Sequence, residues 1–111
     1  DKPAWFRVFY ANGETYPCWW ATDTHIYQNV TTEEELQFGL CRLRDITKRI
    51  ASICKLDWFS TEIALADDFV VVDYVNDEID TRVQSQAMDG VPDEIINNIA
   101  RQLVKIAREN L

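Results

Sequence analysis

Hydrophobic and polar residues change period several times along the chain. Trp5 to Ala11 and Thr15 to Trp20 are rich in aromatic and β-favouring residues. Asn12-Gly13 between them is the favoured dipeptide of a two-residue hairpin turn, so the two runs should pair antiparallel. From Thr22 to Val30 the residues Thr22, Asp23, Thr24, His25, Gln28 and Asn29 form a polar connection expected at the surface. Thr32 with Glu35 reads as a capping box. Leu36, Leu40, Leu43, Ile46 or Thr47, Ile50 and Ile53 follow at helical spacing, which predicts a helix from about Glu33 to Cys54 with one apolar face.

Asp57 to Leu65 and Phe69 to Val75 read as two more strands, joined by Ala66-Asp67-Asp68 into a second hairpin. Phe59, Ile63, Val70 and Val72 are its expected core positions. Val91-Pro92-Asp93-Glu94 places proline and acidic residues where a helix starts. Ile96, Ile99, Ala100, Leu103 and Ile106 give this helix an apolar stripe, and it should run nearly to the end. The order ββαββα implies an α+β fold, an antiparallel sheet covered by two helices, both available to one face.

At 111 residues, with 47% hydrophobic residues and four tryptophans, the chain suits a single folded domain, residues 1–111. Its net charge of -8 argues against a surface devoted to nucleic acid or anionic membrane, both of which need clustered Lys and Arg. Arg42, Arg44, Lys48 and Arg49 do cluster, and they read as the wet side of a helix. Cys18, Cys41 and Cys54 are odd in number and lack CxxC spacing, so neither a disulfide framework nor a zinc site is indicated. A reducing, cytoplasmic setting follows as the expectation. No run approaches the roughly 20 apolar residues of a membrane span, and no signal peptide is recognisable. Asn29-Val30-Thr31 matches a glycosylation acceptor and, without secretory features, reads as chance. The start at Asp1 without methionine suggests a processed chain or a piece of a longer one.

Candidate chemistry concentrates in LDWFSTEIALADDFVVVDYVN, Leu56 to Asn76. Glu62, Asp73 and Asn76 offer two carboxylates and an amide oxygen on paired strands. Mg²⁺ prefers hard oxygen donors, keeps several waters, and completes its shell with nucleotide phosphates, so such a set suffices. Acidic residues near strand ends are more often simply solvated. Two residues, Tyr74 and Val75, separate Asp73 from Asn76, so the pair shares a face only where the chain bulges or turns between them. Beyond the hairpin, Arg82 could bind a phosphate or a substrate carboxylate, or pair at the surface with Asp77, Glu78 or Asp80. His25 is the only histidine and has no Ser or Cys at recognisable spacing, which disfavours a nucleophilic triad. Trp19, Trp20 and Trp58 could stack on sugars, but aromatic residues alternating on strands more often fill a core.

The string RVFYANGETYPCWW, an amphipathic helix and then LDWFSTEIALADDFVVVDYVND resemble the C-terminal half of ATP-grasp enzymes over roughly residues 5 to 104. The resemblance implies that Glu62, Asp73 and Asn76 hold the magnesium ions bridging ATP phosphates. It implies that Arg7 is the nucleotide-site arginine after the hinge. It further implies a parent protein that activates a small-molecule carboxylate as an acyl phosphate and joins it to an amine or thiol, with an upstream ATP-binding subdomain as partner. The phosphate lysines and adenine hinge would lie in that upstream part, and no GxxxxGK[ST] or GxGxxG stands in this chain. The alternative from a different class is a noncatalytic α+β interaction module, a homodimer through its aromatic strands.

Overall fold

Asn12 and Gly13 adopt φ of 49° and 86°, the left-handed pair that a type I′ turn requires and that Asn-Gly supplies at least cost. They join β1 (Ala4–Ala11) to β2 (Glu14–Trp20) in an unbroken antiparallel register from Ala11↔Glu14 to Phe6↔Trp19. The computed structural model describes residues 4–76, 84–86, 88 and 90–109, with residues 73–76 and 109 described by backbone alone. Three further strands and helices follow the first hairpin: β3 (Tyr27–Asn29), α1 (Thr32–Phe38), α2 (Cys41–Cys54), β4 (Trp58–Leu65), β5 (Phe69–Asn76) and α3 (Asp93–Glu109). All strand pairs are antiparallel, in the order β3-β2-β1-β4-β5. The α+β architecture and the ββαββα frame are present, with two additions.

The first addition is β3, which occupies the expected polar connection. Tyr27 buries its ring there, and the segment pairs with the β2 edge through Cys18↔Asn29 and Trp20↔Tyr27. The second is a break in the first helix. Gly39 takes φ 64° and its N–H bonds to Glu35, ending α1 in a left-handed cap that most residues with a Cβ avoid. The capping box lies one residue earlier than expected: Thr31, in extended backbone, accepts from the Glu34 N–H while Glu34 accepts from the Thr31 N–H. Two threonines before three glutamates make either pairing legible in sequence, and the extended conformation of Thr31 selects this one.

The break rotates Leu36 off the apolar stripe, so it is 82% exposed, and Ile53 at the far end of α2 is 72% exposed. Leu40, Leu43, Thr47 and Ile50 remain buried. Arg44 fastens the joint, donating to Glu35 at 2.7 Å and to both the carbonyl and the hydroxyl of Thr15.

The helices cover opposite faces of the sheet rather than one. Phe6 and Val8 pack with Leu40, Leu43 and Ile63 beneath α2, whereas Phe9, Ala11 and Cys18 pack with Val91 and the α3 residues Ile95 and Ile99. Strand alternation dictates this, because β1 carries large apolar side chains at both parities and each face then needs a cover. On α3 the buried stripe is centred on Ile95 and Ile99, with Ile96 and Leu103 half-buried beside it and Ala100 exposed.

In the second hairpin, Phe59 and Ile63 are fully buried as expected, but Val70 and Val72 are 55% and 47% exposed. The register explains the difference. Leu65↔Phe69 fixes Ile63↔Val71, so Val71 and Phe69 join the core under α2 and Val70 and Val72 do not.

Candidate metal and anion site

Alternation along β4 separates Phe59 and Ile63, which face α2, from Ser60 and Glu62, which belong to the opposite face. The β1–β4 register places Arg7 directly across from Glu62, and the β4–β5 register places Asp73 across from Glu62 on its other side. Arg7, Glu62 and Asp73 therefore form one row over three neighbouring strands. Asn76 stands opposite Ser60, the next position on the same face of β4.

This row depends on irregular pairing. Between Ile63↔Val71 and Glu62↔Asp73, β5 advances two residues while β4 advances one, and between Glu62↔Asp73 and Ser60↔Asn76 it advances three against two. Each step inserts one extra β5 residue, the signature of a β-bulge. The second step falls between Asp73 and Asn76, where the spacing of the two residues requires one if both are to oppose a single face of β4. Two carboxylate residues and an amide at adjoining register positions are a hard-oxygen donor set of the kind Mg²⁺ accepts when phosphates complete the shell. Among the described residues, no three His, Cys, Asp or Glu side chains gather as a metal cluster.

Arg7 is held by contacts from the two strands that flank β1. Its Nη2 donates to Glu62 Oε1 at 3.3 Å and its Nη1 to Ser60 Oγ at 3.4 Å. Its guanidinium lies 4.9 Å from the centre of the Trp20 ring, a cation–π contact. The Arg7 and Glu62 side chains are only 15% and 13% exposed. Burial on that scale makes a pair expensive to break, because the abandoned partner keeps its desolvation cost. The buried Nε of Arg7 meets no acceptor among the described residues.

Trp20 also stacks on His25, with ring centres 5.3 Å apart and planes 17° apart. With Trp5, Trp19, Ile26 and Tyr27 it lines a cavity of about 620 Å³. Among the described residues no charged side chain lines it, and its walls are mainly aromatic and aliphatic. Trp19 packs on Phe6 with centres 4.6 Å apart and serves the core.

Of the sequence-derived site residues, the fold brings Arg7, Glu62, Asp73 and Asn76 together, the last two through their backbone register. Arg82 lies outside the described residues. Two neighbours were not singled out as site residues. Ser60 shares the face of Glu62 by simple alternation. Trp20 is the diagonal cross-strand neighbour of Arg7, as counting back from the Asn12-Gly13 turn reveals. No described helix is long and apolar enough to cross a membrane. Comparisons with family models, curated proteins and solved structures find no match.

Proposed function

We propose that this chain is the metal-bearing C-terminal part of an ATP-dependent carboxylate–amine or carboxylate–thiol ligase of the ATP-grasp type, acting through an acyl phosphate. The observation that carries the reading is the doubly bulged β5, which sets Asp73 opposite Glu62 and Asn76 opposite Ser60 beside Arg7. Bulges interrupt a ladder and re-aim residues, and they are common next to active sites. An uninterrupted β5 would not bring these three residues to one face.

In this reading Glu62, Asp73 and Asn76 hold Mg²⁺, which would supply neutralisation of the phosphate charge that otherwise repels an attacking carboxylate. Arg7 presents a guanidinium to an anionic oxygen at the site, and Arg82, beyond the hairpin, binds the carboxylate substrate. The remaining cations and the adenine pocket belong to the upstream ATP-binding subdomain. A cytoplasmic location fits the free thiols of Cys18, Cys41 and Cys54.

Turnover by the full-length protein tests the assignment. Glu62→Gln and Asp73→Asn should each lower ATP turnover by orders of magnitude, and Glu62→Gln should also lower the melting temperature, because it leaves the buried Arg7 without its carboxylate. Near-normal turnover in both would refute it. The exposed Val70 and Val72 favour a second reading, a noncatalytic module that docks a partner or a second copy through the open half of its sheet. That reading predicts indifference to both substitutions.

A further inference from the structure

The register that pairs Phe6 with Trp19 leads next to Trp5 beside Trp20, both on the face of Arg7. Aromatic side chains at such cross-strand positions are ordinarily in contact. Here they are not: Trp20 turns to His25 and to Tyr27, with the Trp20 and Tyr27 ring centres 6.4 Å apart, while Trp5 has no ring contact among the described residues. Trp5 and Trp20 both line the cavity of about 620 Å³, together with Trp19 and Tyr27. The wall beyond β2 is built in advance. The Ala21 N–H donates to the Ile26 carbonyl at 3.1 Å and the His25 N–H to the Ala21 carbonyl at 2.7 Å, which closes the loop, and β3 then sets Tyr27 across from Trp20. A cavity whose walls are fixed by backbone bonds loses little binding energy to ordering.

We propose that this cavity binds an organic cation with an apolar shell, a quaternary ammonium group, on the faces of its indoles. The proposal stands apart from the metal reading. Tryptophan is the strongest of the aromatic rings toward a cation, because the negative face of its quadrupole attracts charge without requiring a hydrogen bond. The Arg7 guanidinium, 4.9 Å from the centre of the Trp20 ring, is already held in this way, and Glu62 neutralises its charge toward a second cation. A net charge of -8 draws cations toward the chain and repels anions. The methyl groups of a quaternary ammonium meet the aromatic and aliphatic walls, and the group carries no N–H to be left unpaired. A sugar would stack on the same rings, but its hydroxyls need many partners, and beyond the rings the described lining offers Thr24 and Gln28 for hydrogen bonding.

The indole N–H signal of Trp5, assigned by its loss in Trp5→Phe, supplies the readout. The full-length protein is titrated at constant ionic strength with choline chloride and, separately, with 3,3-dimethylbutan-1-ol, which has the same shape with carbon in place of the charged nitrogen. Choline should shift the Trp5 signal saturably, at a midpoint about tenfold below that of the alcohol. Equal midpoints would overturn the proposal, since the cavity would then read apolar shape alone. A shift that never saturates, or silence with both probes, would overturn it by showing that no site is present. Trp5→Ala, followed on the methyl signal of choline, should abolish binding, and undiminished binding would place the cation elsewhere. Should Trp5→Ala fail to fold, Trp5→Phe decides. A phenyl ring attracts a cation less than an indole does, so the choline midpoint should rise several-fold while that of the alcohol changes little. An equal change for both probes contradicts the proposal.

Discussion

The two hairpins of the sheet start from similarly β-rich sequence and end with different tasks. In β1–β2 a type I′ turn feeds an unbroken ladder, and both faces of that ladder disappear under helices, Phe6 and Val8 beneath α2 and Phe9, Ala11 and Cys18 beneath α3. In β4–β5 the ladder slips twice on the β5 side, and Val70 and Val72 are exposed while the Arg7–Glu62 pair is largely buried. Regular pairing maximises burial. Irregular pairing gives up part of it and sets Glu62 and Asp73, and Ser60 and Asn76, at adjoining register positions.

The sharpest way to break this contrast is to truncate side chains on the two faces of the second hairpin. Phe59→Ala or Ile63→Ala removes a fully buried side chain and should cost about 2–5 kcal/mol. Val72→Ala removes a half-exposed one and should cost less than about 1 kcal/mol, since little cavity is left behind. Denaturant melts of the three variants settle the ranking. Equal losses would mean that the exposed valines are covered in solution.

The Thr31 cap offers a smaller effect far from the site. Thr31→Ala removes the acceptor of the Glu34 N–H and should cost roughly 0.5–2 kcal/mol, whereas Thr32→Ala should be nearly neutral. The reverse order in thermal melts would return the cap to Thr32.

The overall frame was legible because local chemistry and period agreed. Asn12-Gly13 fixed one register, and Ala66 to Asp68 set the limits of the other. Glu62, Asp73 and Asn76 stood out in sequence as oxygen donors on paired strands, whereas Arg7 came only from the ATP-grasp resemblance and plain alternation would have set Asp73 and Asn76 on opposite faces. What sequence reading missed are places where one residue decides the phase. Gly39 divides the helix and turns Leu36 outward. The turn register, Leu65↔Phe69 and Ile63↔Val71, decides which valines of a continuous apolar run face the core, and the sequence does not print that register. Assigning both helices to one face failed because β1 is apolar at both parities, a feature visible in Phe6, Val8, Phe9 and Ala11 once each is assigned a side.

Acid should expose the smallest difference, at the periphery. Asp68 is held below the usual carboxylate range by the Phe69 N–H and then by Arg42, Asp93 by the Ser85 side chain and N–H, and Glu34 by the Thr31 N–H. Depressed folded-state values favour the native chain above the ordinary carboxylate pKa, and that contribution is lost as pH falls through the folded-state values. The melting temperature should therefore decline gradually below about pH 4, and a flat profile to lower pH would show that these bonds contribute nothing.

The most direct test of the central claim is Mn²⁺ binding by the full-length protein in the presence of ATP, read by electron paramagnetic resonance in the wild type and in Glu62→Gln and Asp73→Asn. Manganese accepts the same oxygen donors as magnesium and reports its own coordination. The account predicts a protein-bound Mn²⁺ spectrum in the wild type that both substitutions weaken or abolish while the fold persists. An identical bound spectrum in all three proteins would contradict it, because the ion would then be held by residues other than the row across β4 and β5.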